Sequence, residues 1–301
     1  MSFLSIYVIN IILINILIRH IQVYAIDINT SSDFVNALKS EKEVTLNIKN
    51  EIVFNQSDIL EIGNNISKIK IKGNSPEVSK IVFVNQDSGL LFENSINKIE
   101  ISDITIESNI FFDNIYNITI ENVNFDGYID ANFTLLSDNS FNIVKSIFKK
   151  PKIPIEYHLN VYKANILIDQ CKFYGNKNLL IGCLNIGNEN NKETYGKVTI
   201  TNSLFDGGYN GRGIIGRYIR DITIKYSEIK NCYNDILDGS FNCYFCNKVT
   251  VSFSYFLDNF TEDIGGSISL YRVTKSYIED ILYVNSTSKN SVITYCNLKI
   301  F

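Results

Sequence analysis

Three short stretches gather charged residues at a spacing that invites chemistry: "GRGIIGRY" (211–218), "YNDILDGS" (233–240) and "TEDIGGS" (261–267). Aligned on Ile214, Ile236 and Ile264, they stack Gly213, Asp235 and Asp263 in one row. Arg212, Asn234 and Glu262 fall in the row before, and Arg217 and Asp238 follow. A row of carboxylates holds a hard cation through oxygen ligands, so Asp235 and Asp263 are the candidate calcium ligands. Abstracting a proton next to a carboxylate needs that charge neutralised and an acceptor in place, which makes Arg217, Asp235, Asp238 and Asp263 the candidate catalytic set. The competing reading is plain: Asp before a turn is common, and an Arg beside it makes an ordinary surface ion pair.

Other chemistry-bearing types are sparse. The two histidines are His20, just after an apolar N-terminal run, and His158 in "PIEYHLNVY". The cysteines are Cys171, Cys183, Cys232, Cys243, Cys246 and Cys296. "CYFC" (243–246) has the spacing of a metal or redox pair, but no second such pair or His pair accompanies it. A Cys243–Cys246 disulfide and a pairing through Cys232 both remain open, while Cys171 reads as a buried thiol. The glycine-rich "GGYNGRGIIG" does not open a helix after a strand, which argues against a phosphate loop.

The elements that must position these residues show as a repeat. "NITIENVNFDGY" (117–128), "NILIDQCKFYGN" (165–176) and "KVTITNSLFDGG" (197–208) share one register. It reads apolar, any, apolar, any, any, small or apolar, any, apolar. Its first position falls at Ile69, Ile99, Ile118, Phe141, Ile166, Val198, Ile222, Val249, Ser276 and Ile293, a mean advance of about 25 residues in the range of solenoid repeats. Alternation, a two-residue break and a second alternation predict strand, bend, strand. Asp103, Asn122, Asn202, Asp280 and Asn297 at the break tolerate left-handed backbone. A fainter third strand follows in 179–186, 213–219, 235–241 and 263–270. The N-terminal "SSDFVNALKSEKE" predicts an amphipathic helix over 32–40, with Ser32 as cap and Phe34, Val35 and Leu38 on one face. At the C-terminus the last repeat is expected to be uncapped.

This pattern resembles the right-handed parallel β-helix of the pectin-lyase-like superfamily, from about residue 44 to the end. "SYFLDNFTEDIGGSI" (254–268) is similar to the F-x-x-N and G-G-x-I repeats of polymorphic outer-membrane-protein adhesins. The expected fold is all-β, a right-handed parallel β-helix of about ten coils with a short N-terminal capping helix. Its expected divisions are 1–25 signal peptide, 26–43 capping segment and 44–301 β-helix.

The start, "MSFLSIYVINIILINILIRHIQVYA", fits a signal peptide cleaved after Ala25, with a signal anchor as the alternative. Secretion or display on a cell surface follows, with no membrane span in the mature chain. Sequons at Asn29, Asn55, Asn65, Asn117, Asn132, Asn259 and Asn285 are candidate glycosylation sites. A net charge of −4 with no basic face argues against nucleic acid as partner.

The resemblance implies sites to look for. Hydrolases of the superfamily use an Asp pair with Gly-His-Gly, and His158 has no glycine beside it. Its lyases use calcium with an Arg or Lys base, and only the Asp235/Asp263 row with Arg217 approaches that set. The expected function is therefore a non-catalytic, glycan-binding or adhesive solenoid with no cofactor, recognising an extended polysaccharide or cell-surface glycan. A divergent polysaccharide lyase or hydrolase is the alternative, and calcium enters only there. The outward Thr199, Thr223 and Thr250 form a short ladder, and Tyr174, Tyr209, Tyr233 and Tyr255 are candidate sugar-stacking rings.

Overall fold

In the computed structural model, the structure describes residues 25–39, 42–63, 66–133, 139–152, 154–187, 194–234, 240–262, 266–288 and 293–296. All strand pairings between named strands are parallel, in one 19-stranded and one 10-stranded sheet. The chain winds as a parallel β-helix. Each coil lays two strand segments on the long sheet and one on the second sheet.

The columns of the repeat are real ladders. Ile69, Ile99, Ile118, Phe141, Ile166, Val198, Ile222, Val249 and Ser276 pair in succession, and Val44 extends the column upstream onto Ile69. The aromatic column stacks its rings: Phe125–Phe148, Phe148–Phe173 and Phe173–Phe205 have centroids 4.8, 4.5 and 4.9 Å apart. These rings are fully buried, and each is worth about 3–5 kcal/mol on truncation to Ala.

Between the two long-sheet segments the bend residue is left-handed from the coil of Ile99 onward. Asp103, Asn122, Lys145, Gln170, Asn202, Tyr226, Phe253 and Asp280 all have φ of 49–56°. Asn and Asp carry this backbone cheaply; Lys145, Gln170, Tyr226 and Phe253 do so because the stacked neighbours impose it. The small residue that follows explains itself through hydrogen bonds. Ser203 N–H donates to Ser227 Oγ and Ser227 N–H to Ser254 Oγ, while each hydroxyl donates to the carbonyl two residues before it. Cys171 fills the same column, its Sγ donating to Asp169 O, and burial pushes its thiol up to about 12.

Three sequence expectations need correction. The repeat at Ile293 is not another first strand: Ile293–Cys296 pairs with Ile268–Tyr271 in the second sheet. Its apolar alternation is the same in either sheet, so the pattern alone does not place it. The helix, α1 (Ser31–Ala37), is capped by Thr30 rather than Ser32, in a capping box with Asp33. Phe34 drives into the core and meets Phe54 edge-on at 5.5 Å, while Val35 and Leu38 pack partly buried against it. Finally, the strand Ala25–Ile28 pairs with Glu43–Ile48, so the segment before the first full coil is strand as well as helix.

The outward face of the second sheet as candidate functional site

The second sheet carries the third strand of each coil: Leu60–Ile62, Gly89–Phe92, Asn109–Asp113, Ile129–Asn132, Tyr157–Tyr162, Gly182–Gly187, Ile214–Arg217, Phe241–Tyr244, Ile268–Tyr271 and Ile293–Cys296. Register aligns Ile214 with Phe241, and Phe241 with Ile268. The expected alignment on Ile236 and Ile264 is therefore shifted by several residues. Ile214 N–H bonds Ser240 O, and Phe241 N–H bonds Ser267 O, so serines 240 and 267 occupy the row of Gly213. Asp235, Asp238 and Asp263 lie outside the described residues; the row of Arg217 is filled by Gly187, Tyr244 and Tyr271. Among the described residues, no group of three or more His, Cys, Asp or Glu is placed to hold a metal ion.

Arg217 does stand on a polar face, with partners that the sequence reading overlooked. Side chains alternate along a strand, so two rows on this sheet point away from the core, with Asn185, Ile215, Asn242 and Ser269 of the first row themselves buried. One is Phe111, Asp130, Asn160, Asn185, Ile215, Asn242 and Ser269. The other is Asp113, Asn132, Tyr162, Gly187, Arg217, Tyr244 and Tyr271. Arg217 Nη1 donates to Asn185 Oδ1 at 3.0 Å, and Asn185 Nδ2 donates to Tyr162 Oη at 2.8 Å. The Arg217 guanidinium also lies over the Tyr244 ring, 5.8 Å from its centroid. Gly187 is required beneath this network. Its φ is +128°, and a Cβ there would collide with the Arg217 carbonyl.

Where this face opens, a groove of about 260 Å³ is lined by Phe111, Asp113, Asp130, Asn132 and Tyr162. Tyr128 meets Phe111 edge-on at 5.6 Å. Burial first, then the charges of Asp130 and Asp87, hold the Tyr128 hydroxyl above its ordinary pKa, so it stays a neutral phenol. The arrangement offers carboxylate acceptors, amides and phenols beside aromatic rings.

The remaining candidates fall elsewhere. His158 is fully buried between Phe148 and Phe173, with ring centroids 5.7 and 6.3 Å away. Its Nε2–H donates to Tyr174 O at 3.0 Å, and burial drives its pKa to about 4. A neutral, enclosed imidazole is part of the core. Cys243 and Cys246 form a disulfide, both buried, so the spacing of "CYFC" serves a bridge. Thr199, Thr223 and Thr250 pair in succession on the long sheet. The Tyr233 ring is stacked on Phe260 at 5.5 Å, and its hydroxyl donates to Glu262, which occupies one ring face. Asn29, Asn55, Asn117, Asn132 and Asn285 are exposed, and Asn65 lies outside the described residues. Asn259 is fully buried with both amide ends bonded.

No family model matches the chain, and no curated protein is similar to it. Among solved structures, the chain is similar to the A-module of the Azotobacter vinelandii mannuronan C-5 epimerase AlgE4, at 10% identity and a TM-score of 0.48. That match covers 90% of this chain and 95% of the module.

Proposed function

We propose that the protein is a secreted, non-catalytic β-helix that binds an extended glycan along the outward face of its second sheet. The observation that carries this reading is the linked file Tyr162–Asn185–Arg217, which continues into the Asp113/Asp130 groove. Outward strand positions favour Thr and β-branched residues; amides and phenols bonded to one another across coils are instead a preformed set of donors and acceptors. A regular face of stacked coils suits many weak contacts with a repeating ligand. Secretion belongs to the proposal. It is supported by the apolar run from Phe3 to Ile18 and by the Cys243–Cys246 bridge, which suits an oxidising compartment.

The test is a glycan array followed by incubation with polysaccharides, with and without calcium, following unsaturated products and reducing ends. Binding without turnover supports the proposal. One observation favours the alternative of a polysaccharide-cleaving enzyme: two carboxylates, Asp113 and Asp130, share a groove with Tyr162 on the face that bears Arg217. Turnover abolished by Asp130→Asn or Arg217→Ala would establish that alternative.

A further inference from the structure

A second concave site lies on the long sheet's outer edge, away from the second-sheet face. Asp206 pairs with Lys230, but the next pair is Gly211 with Cys232. Residues 207–210, "GGYN", are therefore extruded as a bulge. Gly208 and Tyr209 are consecutively left-handed, with φ of 63° and 67°. A Cβ at Gly208 would meet the Gly175 backbone at 2.7 Å, so the bulge needs glycine there. Asp206 Oδ1 pins it, accepting from Gly208 N–H at 2.9 Å and from Asn231 Nδ2 at 3.0 Å. The result is to push Tyr209 outward, 67% exposed. Its left-handed backbone is imposed by the bulge, as that of the exposed Tyr226 and Phe253 is by their stacked neighbours.

What Tyr209 overhangs is a pocket of about 480 Å³, with Lys149, Lys150, Lys177 and Tyr174 on its walls. Among the described residues none of these three lysines is ion-paired, whereas neighbouring Lys152 and Lys230 are taken by Asp126 and Glu228. Asp206, the one carboxylate lining the pocket, is engaged in holding the bulge. Three lysines against one carboxylate leave the pocket lining with a net positive charge beside two phenol rings, in a chain of net charge −4. The cation type narrows the ligand. Arginine's planar fork sets a bidentate geometry on carboxylate or phosphate, while lysines are compact point charges that can converge on a tetrahedral oxyanion from several directions.

We propose that this pocket is a separate binding site for a sulfated saccharide, with Lys149, Lys150 and Lys177 around the sulfate ester and the Tyr209 ring against the sugar. It goes beyond the glycan reading of the second-sheet face and uses none of the same residues, so the two stand or fall separately. The experiment is calorimetric titration of the full chain with dextran sulfate, unmodified dextran and polygalacturonate. Dextran sulfate binds, more weakly as salt rises. Lys150→Gln with Lys177→Gln weakens it at least about tenfold, and Tyr209→Ala about fivefold, each equivalent to roughly 1 kcal/mol or more. Circular-dichroism melting confirms that the variants are folded. Polygalacturonate binding as tightly as dextran sulfate at equal charge overturns the proposal. So does binding unchanged in the folded lysine variant, or no binding of dextran sulfate at all.

Discussion

Arg217 reaches back one coil to donate, through Nη1, to the Oδ1 of Asn185. That contact fixes the amide's orientation, since the Nδ2 end is left to donate to Tyr162 Oη. Removing the amide unlinks two side chains that lie on separate coils but face one ligand. Asn185→Ala is expected to weaken glycan binding about tenfold, the equivalent of roughly 1.4 kcal/mol. Affinity for the best array ligand, measured beside thermal unfolding, checks this. An unchanged affinity would move the binding surface off this face.

The serine column makes a prediction about stability alone. Ser227→Ala leaves the buried Ser203 N–H without its acceptor and should cost about 1–3 kcal/mol. Ser227→Cys should cost less, because Cys171 shows that a thiol fits the column and bonds the same local carbonyl. Urea unfolding midpoints of the two variants separate the cases. Equal losses would mean that the hydroxyl oxygen itself, which a thiol does not replace as an acceptor, sets the requirement.

The sequence made the long sheet legible because its columns combine alternation with a bend and a large aromatic. Ile99, Phe125 and Phe148 are recognisable from spacing alone, and they pair as expected. The second sheet was less legible, for a physical reason. Its strands are short and their flanking loops vary in length, so an Ile followed by Gly occurs both in strand and outside it. That ambiguity set the expected alignment on Ile236 and Ile264 where the ladder runs through Phe241 and Ile268, and it placed Ile293 in the wrong sheet. For Ile293 a usable signal existed: its separation from Ile268 matches a full coil, whereas its separation from Ser276 is shorter than any other. Asn160, Asn185 and Tyr162 were passed over because polar outward residues on a strand look like ordinary solvent contacts. Amides at positions where Thr is the favoured filler were the available clue.

His158 makes stability depend on pH. Its pKa is lowered from the ordinary 6.5 to about 4, chiefly by burial, with hydrogen bonding to Tyr174 and the charge of Asp126 opposing. The unfolded chain therefore binds a proton before the folded chain does. The stability associated with the neutral ring is complete above about pH 6.5 and is lost as pH falls toward 4, a total on the order of 3 kcal/mol. Chemical denaturation from pH 7.5 to 4 should show this decline. His158→Phe should flatten it, although that variant is less stable at neutral pH because Tyr174 O loses its donor. A decline of equal size in the variant would assign the acid sensitivity to carboxylates.

The N-terminal cap can be tested by where unfolding begins. Phe34 joins α1 to the aromatic core through Phe54, which itself stacks on Phe83 at 4.6 Å. Phe34→Ala should cost about 3–5 kcal/mol, and Thr30→Ala about 1 kcal/mol through the lost cap. Hydrogen exchange should show the coil of Glu43–Ile48 losing protection first in Phe34→Ala, with the coils around Phe173 protected longest. Uniform loss along the chain would show that the solenoid unfolds as one unit from either end.

The sequons divide by geometry. A glycan is attached through Nδ2, and in Asn259 that atom donates to Ile229 O at 2.9 Å while Oδ1 accepts from Cys232 N–H at 3.0 Å. The side chain is fully buried, so a sugar there would break two buried bonds and open the coil. Asn285 sits one coil further on in register with Asp258, which shares its left-handed backbone, rather than with Asn259; it is exposed, with Nδ2 on Asp258 Oδ1 at 3.1 Å. Expression in a glycosylating secretory host, followed by peptide mass mapping, is expected to find glycan at exposed positions such as Asn55 or Asn117 and none at Asn259. Asn259→Gln should destabilise the fold by about 1–3 kcal/mol for its unmatched partners, while Asn55→Gln, exposed and in ordinary backbone, stays within about 0.5 kcal/mol, as for other surface changes. Glycan on Asn259 in folded, secreted protein would show that this turn is not closed as described.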